Sequence, residues 1–327
     1  MPRHPQPLPP DLGEQFRYAA ARGSGVSPKR LRARDLEAPF RGVRRVVRAA
    51  PDTEEGPLSR DRALRAAVLR DARACAQVMA PHAFFAGRTA AVLYGLPVSH
   101  GRELEVAVIA PARAPRRAGI RGRKIAPAYA EVWMLEGLPV ASPASCWAML
   151  ATELSERELI RLGDAIVRIP RGPGGRRQPE RQLATLAQLR AAALEPGRAG
   201  RTRLLRALAR IRVGSMSPLE TDTRLEASDA GLPEPELDVE IRAAADGRLL
   251  GITDLRFRAY RVLVEVEGDH HRTDRAQWTR DIEKLAAYAG EGYETVRVTA
   301  AQVRSNPARC VFLIREALVR GGWTPGA

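Results

Sequence analysis

Apolar positions along the chain recur with two different periods, and the changes of period divide it into segments. From about residue 58, LSRDRALRAAVLRDARACAQVMA carries alanine and leucine at helical spacing, and GRTAAVLYGLP continues as a short helix ended by Gly95 and Pro97. LEVAVIAP near 104–111 and AEVWMLEGLPVA near 130–141 are strand-like runs, separated by a loop rich in arginine and proline. SPASCWAMLATEL and SERELIRLGDAIVRI return to helical spacing. Ser142 caps the first with Pro143 behind it, and Ser155 caps the second with Glu158 completing a capping box.

Beyond residue 214 the periods alternate again. Ser217 caps, Pro218 opens and Gly231 closes a helix. ELDVEIRAA, RLLGITDLRF and RVLVEVEG, joined by the Asp246-Gly247 turn and a second turn, predict a three-stranded antiparallel meander. A long helix (DRAQWTRDIEKLAAYAG), a strand (ETVRVTA) and a last helix (PARCVFLIREAL) complete the set. At the other end, residues 14–34 predict two short helices around a Gly-Ser-Gly turn, the second capped by Ser27 and carrying Lys29, Arg30 and Arg32. The following PFRGVRRVVRA turns at Gly42 and continues as a strand with Arg41, Arg44, Arg45 and Arg48. Such an arrangement is either a helix-turn-helix with a basic wing against a phosphate backbone or a solvated basic hairpin.

The 327 residues suffice for two or three domains, each with its own core. No uncharged apolar stretch approaches the ~20 residues of a bilayer span, and MPRHPQPLPPDLGEQF lacks the apolar segment of a secretory signal. The expectation is a cytoplasmic protein without a membrane partner. Cys75, Cys146 and Cys310 are too few for a disulfide framework and too far apart for a local metal knuckle. Net charge is +15, unevenly spread: residues 1–214 hold 38 lysines and arginines against 19 acidic residues, and residues 215–327 hold 15 against 19. A field of that size favours a polyanion such as DNA, and the basic first part is where it would be held. Within it, 168–212 reads either as a phosphate-tracking arm or as an amphipathic helical linker whose arginines are solvated.

The candidate chemistry lies in the acidic part. Asp254 falls in the middle strand of the meander and Glu265 in the third, eleven positions apart across a turn, so the two side chains can converge. Two carboxylates held together repel unless a cation sits between them, and an all-oxygen ligand set suits Mg²⁺ or Mn²⁺. Glu220 in the first turn of the preceding helix supplies a third acidic ligand, directly or through water. Alternation puts Glu267 on the face of Glu265, Gly268 ends the strand, and His271 arrives at the mouth of the site, where an imidazole can deprotonate a water or protonate a leaving oxygen. In the middle region Ser142, Ser145, His82 and His100 form no nucleophile-elbow or base-pair spacing.

Two resemblances follow from these blocks. Residues 14–168, through PFRGVRRV, GRTAAVLYGLPVS and LEGLPVASPASCWAMLATEL ending in LIRLGDAI, resemble the AbiEi-type antitoxins and related regulators. This implies DNA binding by the N-terminal helices, and partner or autoregulatory functions without catalysis. Residues 215–321, through SPLE, ITDLRF, VEVEGDHH, TRDIEKL and GYETVRVTA, resemble the PD-(D/E)XK nuclease superfamily, within it the domain of unknown function similar to the very-short-patch-repair (Vsr) endonuclease. This second resemblance implies metal binding by Asp254 and Glu265, support from Glu220, a catalytic role for His271, and contacts from Asp281 and Arg297 either to the metal-binding side chains or to the DNA backbone. In that superfamily the residue two after the second carboxylate is lysine. Here it is Glu267, so the positive charge falls to a metal, His271, Lys284 or Arg297.

The expected architecture is a multi-domain α+β or α/β chain. It comprises a winged helix-turn-helix over 1–50, a mixed α/β middle domain over 51–168, a basic helical linker over 169–214 and a restriction-endonuclease-like αβββαβ core over 215–327. The leading expectation is a DNA-binding, metal-dependent endonuclease with catalytic Asp254, Glu265, Glu267, His271 and Glu220, and DNA contacts from Lys29, Arg30, Arg32, Arg41, Arg44, Arg45 and Arg297. The rivals are a non-enzymatic antitoxin-type regulator with a cognate toxin as partner, keeping the nuclease fold as scaffold, and an interaction protein with an incidental basic surface.

Overall fold

The computed structural model describes residues 5–47, 57–268 and 275–325; the expectations for Arg48 and His271 lie outside the described residues. The chain is a mixed α/β protein that divides into two compact units, one of residues 1–153 with 192–199 and one of residues 154–191 with 200–327. Among the described residues no helix is long and apolar enough to cross a membrane.

The first unit begins with β1 (Gln15–Arg17), α1 (Tyr18–Gly23), β2 (Leu36–Glu37) and β3 (Val43–Val46), the strands forming an antiparallel sheet in the order β1-β3-β2. The two helices expected over 14–34 are corrected in part, the first being present only over Tyr18–Gly23. Gln15 to Arg17 pairs as a strand with Val43 to Arg45, and the second helix shrinks to one 3₁₀ turn, Arg30–Arg32, where the Ser27 hydroxyl accepts the Arg30 N–H at 3.1 Å. Phe16, Ala21, Val26 and Leu31 form a small buried cluster in this segment. Next come α2 (Pro57–Ala76), β4 (Ala83–Phe85), α3 (Gly87–Leu93), β5 (Leu104–Ile109), β6 (Ile120–Ile125), β7 (Val132–Leu135), β8 (Leu138–Ala141) and α4 (Pro143–Met149). The strands form one sheet, ordered β6-β5-β4-β8-β7.

Two departures from expectation shape that sheet. The basic loop after β5 contains β6, which runs parallel to β5; Arg121 and Arg123 on it face Glu105 and Glu153 instead of solvent alone. The run 130–141 folds back on itself at Glu136 and Gly137, both at positive φ (49° and 80°), and gives the β7-β8 hairpin. Ser142 caps α4 as expected, its oxygen accepting the Ser145 N–H at 3.3 Å.

In the second unit α5 (Glu156–Val167), with the expected Ser155–Glu158 capping box, is followed by α6 (Leu186–Leu194), inside which the unit boundary falls, and α7 (Arg201–Arg210). Then come α8 (Pro218–Asp229), β9 (Glu236–Arg242), β10 (Leu249–Phe257), β11 (Val262–Glu267), α9 (Arg275–Gly290), β12 (Glu294–Thr299), α10 (Ala300–Ser305) and α11 (Pro307–Arg320). The sheet order is β12-β11-β10-β9, antiparallel except for the parallel pair β11-β12, so the expected meander is present. Leu255, Phe257, Val262, Val264, Val296 and Val298 pack with Leu219 and Ala227 of α8 and with Cys310, Ile314 and Leu318 of α11. Tyr288 of α9, fully buried, packs against Leu263 and Ile241.

Helix α5 belongs to this second unit, although its sequence continues the 51–168 block. Asp164 and the Arg224 side chain of α8, each no more than 1% exposed, form an ion pair at 2.8 Å. Arg161 and Arg157 add pairs to Asp222 and Glu226 on the same helix. The arginines of 168–212 are consumed similarly. Arg171 and Arg177 both hold Asp238, Arg206 pairs with Glu156, Arg210 with Asp229 and Arg212 with Glu234. Five arginines of that segment are thus ion-paired within the second unit, Arg177, Arg206 and Arg212 with 40–64% of the side chain still exposed.

Candidate functional site

The site is built where β10 and β11 run side by side. Their register pairs Leu255 with Val264, and both face the core. Alternation then turns the preceding and following residues, Asp254 and Glu265, to the opposite face, and continuing the register sets them next to each other. On the far side of Glu265 the parallel register with β12 places Arg297. Ser217, whose hydroxyl accepts the Glu220 N–H at 3.2 Å, starts α8 so that Glu220 projects from its first turn.

These elements enclose a cavity of about 350 Å³ lined by Glu220, Ile252, Asp254, Glu265, Val266, Glu267, Asp281, Lys284, Leu285 and Arg297. The three carboxylates expected to converge do share one cavity. Asp281 and Lys284, three positions apart on α9, reach it together. Five carboxylates thus face two cations.

Each inner carboxylate has one fixed contact. Glu220 Oε2 accepts the Met216 N–H at 2.7 Å, Asp254 Oδ2 accepts the Val266 N–H at 2.7 Å, and Glu265 Oε2 takes the Lys284 ammonium at 2.8 Å. Glu265 Oε1 is buried with no hydrogen-bond partner. Arg297 Nε donates to Glu267 at the rim. Burial pushes the Glu220 carboxyl up to about 8, with the charge of Asp254 adding to it. Burial also raises Glu265 to about 7 against the pull of Lys284, and raises Asp254 against the pull of the Val266 N–H. The site is a partly dehydrated, acid-rich pocket short of positive charge.

Among the described residues no three His, Cys, Asp or Glu side chains stand close enough to hold an ion as they are. The donor chemistry nevertheless fits a hard cation. The available atoms are carboxylate oxygens, one of them is buried without a partner, and the surplus of negative charge is the condition that Mg²⁺ or Mn²⁺ relieves. Asp254 and Glu265, with Glu220, are the residues that would hold it.

The other expected contacts divide. In the first unit Arg45 is buried, its Nε on Glu37 and its Nη1 on Asp71, both at 2.6 Å. Arg30 makes a two-pronged pair with Asp35, and Arg44 bonds the Leu31 and Val43 carbonyls beneath the Tyr18 ring. These three guanidinium groups hold the fold together, whereas Lys29, Arg32 and Arg41 are exposed. From the sequence Lys284 is one of several candidate sources of positive charge. Its position, one helical step from Asp281, was the signal that could have singled it out.

A comparison with protein-family models finds no match, and a comparison with curated proteins finds no relative.

Proposed function

We propose that this chain is a DNA-binding protein whose second unit hydrolyses phosphodiester bonds with a divalent metal. The observation that carries the reading is the meeting of Glu220, Asp254 and Glu265, from three elements far apart in sequence, in one cavity with Lys284. Bound Mg²⁺ or Mn²⁺ supplies Lewis-acid stabilisation of charge on the phosphate. Asp254 and Glu265 hold the ion, and Glu220 completes the acidic set. Lys284, whose ammonium lies 2.8 Å from Glu265, would supply the positive charge that Glu267 does not, neutralising developing charge and orienting an attacking water. The basic residues of 1–214, among them exposed Lys29, Arg32 and Arg41, supply DNA affinity and its salt dependence, because 215–327 carries more acid than base.

The test is a plasmid-nicking assay in Mg²⁺ and Mn²⁺ with Asp254→Ala and Glu265→Ala beside the unchanged chain. Cleavage that disappears in both variants supports the reading. Cleavage that survives either one places the activity elsewhere.

A second reading, a DNA-binding regulator of the antitoxin type with a cognate toxin as partner, is favoured by one observation. Each inner carboxylate already has a protein partner, so the pocket can persist as scaffold. A chain that binds DNA but neither nicks it nor takes up Mn²⁺ belongs to this second reading.

A further inference from the structure

Glu220 is 7% exposed, and its orientation is set from outside its own helix. The N–H that holds its carboxylate belongs to Met216, in the segment that leads into α8. The carbonyl of the same Met216 accepts a hydrogen bond from Arg168 Nη1 at 3.0 Å, and Arg168 is the residue that ends α5. On the other side of Glu220, the Thr221 hydroxyl donates to Asp164 Oδ2 at 2.9 Å, one turn earlier on α5. Asp164 also accepts the Arg224 Nη2 at 2.8 Å and, through Oδ1, the Arg212 N–H at 2.8 Å. The residue four before Glu220 and the residue after it are therefore both tied to the last turn of one helix.

We infer that Arg168 and Asp164 are positioning residues for Glu220, an inference that rests on the cation-pocket reading for its functional meaning. Asp164 fixes how far α8 is advanced along its axis, since Thr221 and Arg224 lie one turn apart on it. Arg168 holds the Met216–Ser217 peptide by its carbonyl and so restrains the Met216 backbone, whose own N–H, in the preceding peptide, sets the rotamer of the Glu220 side chain. Without that anchor Met216 is held only by neighbours in a short non-helical stretch, where Gly214 sits at φ 121° against Leu237. A different Glu220 rotamer displaces its carboxylate by far more than the ~0.2 Å tolerance of ion–ligand distances. Helix α5, read from its sequence as part of the 51–168 block, is on this account the mounting of the site.

The experiment uses the full-length chain and Arg168→Met, which keeps the aliphatic stem, with Arg168→Lys as the conservative variant. Amide exchange is measured first without metal. The Met216 amide exchanges at least about ten times faster in Arg168→Met while the α11 amides are unchanged, and Arg168→Lys restores most of the protection. Mn²⁺ affinity is measured second, by electron paramagnetic resonance. Arg168→Met weakens it about tenfold, the usual effect of removing an outer-shell partner, and has no effect once Glu220→Gln is present. Unchanged Met216 exchange, or an equal loss of affinity in the Glu220→Gln background, overturns the inference. If the unchanged chain takes up no Mn²⁺, the cation-pocket reading fails and the exchange measurement alone decides on the positioning. If Arg168→Met does not fold, Arg168→Leu against the unchanged chain carries the same comparison, and Met216 exchange that does not move in it counts against the inference.

Discussion

Glu265→Gln removes a single charge from the acid-rich pocket while keeping the shape of the side chain, and its effect on stability depends on pH in a direction the structure dictates. Glu265 is 14% exposed, one oxygen has no partner and the other meets Lys284. Burial lifts its carboxyl from 4.5 to about 7, with Lys284 opposing and Asp254 adding to the rise. Between those two pH values the folded chain holds a proton that the unfolded chain has already released, so stability falls as pH rises and levels off above the folded value. The span of about 2.5 units corresponds to about 3 kcal/mol. Urea unfolding of the metal-free chain at intervals from pH 5 to 8.5 measures it. Relative to the unchanged chain, the variant gains up to about 3 kcal/mol as pH climbs from 5 to 8. A difference that is flat with pH, or that turns against the variant as pH rises, refutes the picture of a dehydrated carboxylate short of positive charge.

Three further outcomes follow from neighbouring contacts. Lys284→Met removes the cation that holds Glu265 down, so the alkaline loss of stability extends to higher pH and deepens, by about 1–3 kcal/mol at pH 8.5 in the same urea series. Asp164→Asn breaks a pair in which neither side chain is more than 1% exposed and leaves buried Arg224 only the more distant, half-exposed Glu234 at 4.0 Å; denaturant unfolding registers a loss of about 3 kcal/mol. Gly163→Ala puts a Cβ 2.2 Å from Ile211 Cδ1 between α5 and the end of α7, an overpacking that lowers unfolding stability by about 1–3 kcal/mol without touching the pocket.

The part of the site that could be read from the sequence was the part governed by local rules. Period-two alternation and the turn between two strands placed Asp254 beside Glu265, and the Ser217-Pro218 start placed Glu220 in a first helical turn. What stayed hidden depended on partners distant in sequence. Nothing near Arg45 announces that Asp71 will bury it, and nothing in LIRLGDAI announces that Asp164 will meet Arg224 sixty residues on. The same holds for α5, whose helical character and cap were legible while the unit it packs into was not. The N-terminal helices came out shortened, the first to Tyr18–Gly23 and the second to one 3₁₀ turn, for a related reason. Their propensity was adequate, but Phe16 found a strand partner and a small core, and those contacts outweighed local preference. Strand β6 was masked by its arginines, which read as loop until Glu105 and Glu153 neutralised them.

The most direct test of the central claim is Mn²⁺ binding to the full-length chain at pH 7.5, followed by electron paramagnetic resonance, with Asp254→Asn and Glu265→Gln alongside. The account predicts saturable uptake by the unchanged chain that Mg²⁺ competes away, weakened at least about tenfold in each variant. Uptake that is absent from the unchanged chain, or that both variants keep undiminished, contradicts it.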